Sequence, residues 1–391
     1  MKRIIIVGAG VSGLVAALSI KNDYNEVTIL EKEDTVGKKI LVSGNGRCNF
    51  LNDKFDSSFY HSVDNTDISF LFNNDSKNKV LNFIKNLGIE YKIKNGYYYP
   101  FSNKAITIKE TLLKEAINRG VNIIYNYEVN KIEKSKEFII NDEYKSDYLI
   151  ISTGSKSYVK SSNSYELVKN LGHSVTELYP SLVQITAKGE YFKRLSGIRT
   201  DVKVSIWSSD RLIKEEHGEL QLTDYGISGI CVFNLSRYVS ILNNPIIKIN
   251  FLPFTDNIDE YLSNRPNISL YDMLSRILND KLVEVLLNIL KIDMNKKYSD
   301  LSLNEKELLI SNLSSFEVIP TGTKGFISSQ VCAGGVKLSE IDLNSFESKI
   351  VPNLYITGEL LDIDGDCGGY NIGFAILSGL IASESIRGKN D

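Results

Sequence analysis

The chain has 391 residues, 42% of them apolar and 24% charged, with a net charge of −3. That length suits two or three domains with a sizeable core. It carries no basic excess for nucleic acid, no like-charge block for a disordered tail and no run approaching 18 apolar residues for a membrane span.

Met1-Lys2-Arg3 precedes an apolar run, but Gly8, Gly10 and Gly13 interrupt it, so no signal peptide is expected. The cysteines (Cys48, Cys231, Cys332, Cys367) form no C-x-x-C pair, and the histidines are only His61, His173 and His217. No metal site is expected, and scattered thiols fit a reducing cytoplasm. The expected partner is a small-molecule substrate, with neither nucleic acid nor membrane.

Residues 4–7 are a short β-branched run, as in a buried parallel strand. Residues 8–13 turn, and Val11, Leu14, Val15 and Leu18 carry helical spacing to residue 20. Residues 27–30 form a second strand closed by Glu31, completing β-α-β. Residues 37–49 read as a glycine-rich loop that opens with Lys38 and Lys39. Helices are predicted over 65–87 and 104–119, and strands over 121–125, 128–133, 138–140 and 148–152. Strand-like alternation runs from about 188 to 254, helical spacing over 257–315, and strand character at 316–319 and before Gly334. A strand at 354–357, a glycine-rich loop and a helix over 372–387 end the chain.

The simplest organisation is one nucleotide-binding domain from both termini, 1–187 and 335–391. It holds an insertion that is β-rich over 188–254 and 315–334 and helical over 255–314. Two such crossings often line a cleft, a common place for ligands.

The strongest motif is Gly8-x-Gly10-x-x-Gly13 between strand and helix. Gly8 permits the tight turn, Gly10 lets backbone approach a pyrophosphate, and Gly13 lets helix and strand pack closely. The helix N-terminus offers free N–H groups and a positive dipole end. Glu31 is placed to accept from a ribose hydroxyl. A plain strand–turn–helix would not need this whole context.

Two later strand ends, one at Thr153-Gly154 and the other at Gly358-Glu359, resemble those that return to the FAD in two-dinucleotide-type flavoproteins, which implies FAD in place of NAD. Taken singly, each could be an ordinary glycine-terminated core strand. In Ser43-Gly44-Asn45-Gly46-Arg47-Cys48-Asn49 the glycines allow close approach, and Arg47 suits a pyrophosphate or a substrate carboxylate. Cys48 either lies near a flavin or is simply buried. Gly365-Asp366-Cys367-Gly368-Gly369-Tyr370-Asn371 leads into the last helix, whose dipole would favour charge on a reduced flavin. Asn371 reads as an N-cap. Tyr370 is either a proton donor beside the ring or a packing residue.

These strings resemble the BaiN-type and aminoacetone-oxidase-like bacterial NAD(P)/FAD-dependent oxidoreductases. The similarity continues through Tyr99 to Ala105, Gly218-Glu219-Leu220, Thr223 to Gly229, Ala333 to Val336 and Gly358 to Asn371. It implies a Rossmann-type FAD-binding domain, an inserted β-barrel-like domain and a small helical domain. It further implies FAD contacts at Gly10, Ser12, Gly13, Glu31, Lys32, Lys39, Arg47, Val129, Thr153, Gly154, Glu359, Asn371 and Ile372. The glycine motifs add Gly8, Gly44, Asn45, Gly46, Cys48, Gly358, Gly369 and Tyr370 to that set. Tyr370 and Arg47 are the catalytic candidates. The chain departs from the family at Ser161-Ser162-Asn163-Ser164, which is short and lacks glycine, at Tyr97 in place of Arg, and at Cys332 in place of Thr.

The leading expectation is hydride transfer from NAD(P)H, bound transiently, through FAD to an enone-type double bond, steroid-like in kind. The alternatives are an FAD-dependent oxidase of a small amine or amino ketone using O2, and a non-catalytic flavin-binding regulator. RNA-modifying flavoproteins share the fold, but the acidic balance argues against them.

Overall fold

A computed structural model describes residues 1–158, 163–265 and 267–389. Ser161 and Ser162, part of the first departure above, lie outside them. The chain divides into two compact units, Met1–Leu178 with Val331–Asp391, and Tyr179–Gln330.

The first unit is built on β1 (Lys2–Val7), α1 (Val11–Ile20), β2 (Asn25–Leu30), β3 (Asn122–Ile124), β4 (Tyr148–Ile151) and β5 (Leu354–Ile356). The parallel order is β5-β4-β1-β2-β3, extended beyond β5 by the short antiparallel strands Glu347–Ser348 and Ile341–Asp342. Ile4, Ile6, Leu149, Ile150 and Ile356 are sealed from solvent, as strands covered on both faces must be. In register, Val7 lies level with Leu30 and Ile151, and Ile151 with Ile356. Four strands therefore end together, and ligands of such sheets bind beyond those carboxyl ends. The last helix, α2 (Tyr370–Gly388), packs on α1 through Gly379, where a Cβ would stand 2.6 Å from the Ser12 carbonyl oxygen.

Three local expectations change. The helix expected over 65–87 is Asn74–Asn86, because the Asn73 side chain accepts from the Asp75 and Ser76 N–H groups and starts it there. The supposed loop at 37–49 contains a helical turn, Lys38–Val42. A hairpin of Tyr91–Lys94 and Tyr97–Pro100 joins Leu51–Asn52 in a three-stranded sheet that the sequence reading missed. Its signal was there: Asn95 and Gly96 both take positive φ (+52° and +81°), as Asn-Gly does in tight hairpins.

In the second unit, seven antiparallel strands form one sheet whose outermost members are Phe316–Val318 and Pro320–Thr323. Only Ile319 separates these edges along the chain, so the sheet curls to bring them together, as in a barrel. The helices Ile258–Ser263, Asp280–Leu290 and Leu303–Ser314 share its core through Leu262, Leu286 and Leu309, which cluster with Ile249 and Phe316. Among the described residues, no helix is long and apolar enough to cross a membrane.

Candidate cofactor site

The three glycines of the first turn serve different needs. Gly8 has φ +101°, and a Cβ there would lie 2.7 Å from the Ser152 carbonyl oxygen. A Cβ on Gly13 would lie 2.1 Å from the Gly8 oxygen. Gly10 differs: its φ is −73°, and a Cβ would meet only the Ser152 oxygen, at 3.9 Å. The protein's own packing thus demands glycine at 8 and 13 but leaves space above 10. That space opens at the N-terminus of α1, where no side chain caps the helix and no acid sits in the first turn. Uncapped N–H groups beside an open Cα are what a pyrophosphate needs.

Glu31 is buried; one carboxylate oxygen accepts from the Ala9 N–H (2.6 Å) and the other from the Glu33 N–H (2.9 Å). A carboxylate has about four acceptor sites, so both oxygens can still receive a ribose hydroxyl. Lys32 beside it is exposed. Val129 is buried, and its carbonyl already accepts from the Asn163 amide at 2.8 Å. At the carboxyl ends of β4 and β5, the Thr153 and Thr357 hydroxyls are buried without a hydrogen-bond partner, as is the Asn49 side-chain oxygen. Native proteins rarely leave such atoms unsatisfied, and all three are suited to a polar ligand. Sequence reasoning missed Thr357 and Asn49; the available signal was a polar residue ending a buried strand or a glycine loop. Gly154 has φ +70° with nothing within 4 Å of an added Cβ, and Gly358, at φ +69°, sits against Ser12.

Glu359 ties distant segments together. One oxygen accepts from the Ser155 and Ser157 hydroxyls (2.6 and 2.8 Å) and the Cys332 N–H (3.0 Å). The other pairs with Lys39 at 2.5 Å, and Lys39 also donates to Ser157 at 2.6 Å. Glu359 and Lys39 thus act first on each other.

In the 43–49 loop, Gly44, Asn45, Gly46 and Cys48 all take positive φ. Residues 44–47 are exposed, and the Arg47 guanidinium lies over the Tyr99 ring at 5.2 Å. Cys48 is fully buried and burial pushes its thiol up to about 12, so the side chain packs inward, and contact with a ligand from this position falls to backbone. Tyr370 is buried and stacks on Phe59 (4.8 Å between ring centres), which favours the packing alternative. Asn371 is not the N-cap. Gly369, at φ +95°, holds that place, since a Cβ there would strike the Leu51 oxygen at 2.6 Å. The Asn371 amide instead accepts from the Gly365 N–H and donates to its carbonyl, both at 2.8 Å, and Ile372 follows half-buried in the first turn.

Asp362 is fully buried and accepts from the Val63 and Asp64 N–H groups and the Ser62 hydroxyl. Burial outweighs these bonds and holds its carboxyl at about 6, above the ordinary 3.8. A raised folded-state pKa adds stability below the unfolded value and loses it as pH climbs through the folded one. Asp362→Asn removes that dependence. Urea melts should show the variant gaining on the parent protein from pH 4 to pH 7; a constant difference would remove Asp362 as the cause.

A dinucleotide turn from one end of the chain, closed by a strand and a helix from the other, defines a Rossmann-type FAD-binding protein. The chain belongs to the HI0933-like family: the HI0933-like protein Rossmann domain matches residues 2–385. It is similar to a 3-dehydro-bile acid delta(4,6)-reductase of Clostridium scindens, 34% identical over 98% of this chain and 99% of that one. It also resembles ribosomal RNA dihydrouridine synthases of Haemophilus influenzae (28% identical, 98% of each chain) and Escherichia coli (27%, 95% and 94%).

Proposed function

We propose that this protein is an FAD-dependent reductase of a carbon–carbon double bond conjugated to a carbonyl, in a planar small molecule of the steroid-enone type. NAD(P)H is the donor and the cytoplasm the location. The observation that carries this reading is the end-to-end similarity to a reductase whose named substrate is a bile acid oxidised at C3 with unsaturation at 4 and 6. Bound FAD supplies hydride chemistry that side chains lack. The protein's part is to seat the dinucleotide on the Gly8–Gly13 turn, meet its ribose with Glu31, and offer positive potential from Arg47 and the N-terminus of α2.

A second reading has support of its own. Dihydrouridine forms by saturating a double bond that is also conjugated to a carbonyl, so the RNA-acting relatives share the half-reaction. The higher identity to the reductase, 34% against 28% and 27%, favours a small substrate.

Anaerobic stopped-flow, with a 3-oxo-Δ4 steroid and a uridine-containing RNA offered in turn to the reduced flavin, separates the readings. NADH or NADPH should bleach the flavin band (near ~450 nm, a property of the cofactor), and a 3-oxo-Δ4 steroid should restore it. Reduction by a small amine instead, with O2 as acceptor, would select the oxidase. A flavin that no donor reduces would remove enzymatic function altogether.

A further inference from the structure

The hairpin of Tyr91–Lys94 and Tyr97–Pro100 has two different faces. On one, Tyr98 and Pro100 are buried, and Tyr98 gives its hydroxyl to Asp53 at 2.6 Å. Tyr97 and Tyr99 alternate with them and are half-buried on the other face, and Phe101 follows at the same spacing, 67% exposed. Lys94 pairs across the strands with Tyr97, and Lys92 with Tyr99. Cross-strand partners share a face, so both lysines stand among the three aromatic rings. Lys92 lies 5.5 Å from the Phe101 ring centre, and Arg47 covers Tyr99 from the glycine loop. No acid occurs between residues 91 and 104, and Glu90 stands opposite Phe101 at the far end of the face, its carbonyl accepting from the Phe101 N–H at 2.8 Å. This face also reaches the cofactor site: Asn52, paired with Tyr97, donates to the Gly368 carbonyl at 3.0 Å. A Cβ on Gly368 would lie 2.9 Å from the Tyr97 ring.

Lysines on an edge strand ordinarily guard against further pairing. That does not account for three aromatic rings kept at the surface beside them, because rings of that size bury well. Exposed rings offer apolar area to a flat ligand, and cations beside them offer a partner for a negative charge on it.

We propose that this face is the subsite for a planar substrate carrying an acid group. Tyr97, Tyr99 and Phe101 take the apolar plane, and Lys92 and Lys94 take the carboxylate. The assignment rests on the enone-reductase reading and adds the residues that would meet the substrate's anion.

The test uses the FAD-loaded full chain, a 3-oxo-Δ4 steroid carboxylic acid and its methyl ester, with binding followed by perturbation of the flavin spectrum. The acid should bind about tenfold more tightly than the ester, roughly one charge-assisted contact. The double variant Lys92→Gln, Lys94→Gln should erase that preference and leave ester binding unchanged. Phe101→Ala should weaken both ligands. Equal affinity of the parent protein for acid and ester would overturn the proposal, as would a preference that survives the double variant. So would a uridine-containing single-stranded RNA that outcompetes the acid and depends on the same lysines. Turnover of the ester at the expense of NAD(P)H reports on the reductase reading alone. A protein that reduces acid and ester with equal affinity keeps that reading and loses the subsite; one that prefers the acid but reduces neither does the reverse.

Discussion

Gly10→Val yields a folded, colourless protein. A Cβ at position 10 meets nothing closer than the Ser152 oxygen at 3.9 Å, and the backbone there already has an ordinary negative φ. The fold should lose no more than about 1 kcal/mol for a poor residue at a helix N-cap. Two methyl groups then fill the space at the uncapped start of α1, and the N–H groups there lose their phosphate. Losing such charge-assisted bonds costs about 3 kcal/mol, or about a hundredfold in affinity. Gly13→Val should behave in the opposite way. Its Cβ collides with the Gly8 oxygen, which belongs to fixed backbone, so the protein without cofactor should lose at least about 3 kcal/mol. Urea melts of the apoproteins and FAD titration separate the two outcomes. A Gly10→Val protein that stays yellow would overturn the assignment of the turn.

Glu359→Leu comes second in expected size. It strips the acceptor from the Ser155 and Ser157 hydroxyls, the Cys332 N–H and Lys39 together. Lys39 is more than a third exposed and can turn to water, so its share is discounted. The buried N–H and hydroxyls cannot all do so, and the expected loss is about 3 kcal/mol. Glu359→Gln keeps an oxygen for the serines and the N–H and gives up only the charge, at about 1 kcal/mol. Comparing both variants by urea unfolding, with and without FAD, distinguishes a clasp from a direct ligand contact. A clasp weakens the apoprotein and the loaded protein alike, whereas a ligand contact weakens only the loaded one.

The start of the chain was readable because its determinants are local. Strand, glycine spacing, helix and Glu31 fall within one stretch of 31 residues, and each imposes its own backbone geometry. Asn371 was misread for a related reason: an Asn before an apolar helix looks like a cap, yet this one pairs with Gly365, and the Leu51 backbone makes Gly369 the cap. Tyr97, Tyr99 and Phe101 are plain in the sequence as a row of aromatics, but their face is set by the Asn95-Gly96 turn and by what lies beneath.

The sequence by itself determined the dinucleotide turn, the class of cofactor and the use of both chain ends, because glycine spacing and strand composition act over a few residues. Tertiary structure alone decided which polar groups are engaged and which buried ones are not. Glu359 is engaged by Lys39, 320 residues away, while Thr153, Thr357 and Asn49 keep buried oxygens without partners. A hydrogen bond between segments so far apart forms only when the sheet brings them together. Whether a polar atom is satisfied or waiting is therefore a property of the packed chain and not of its residues in order.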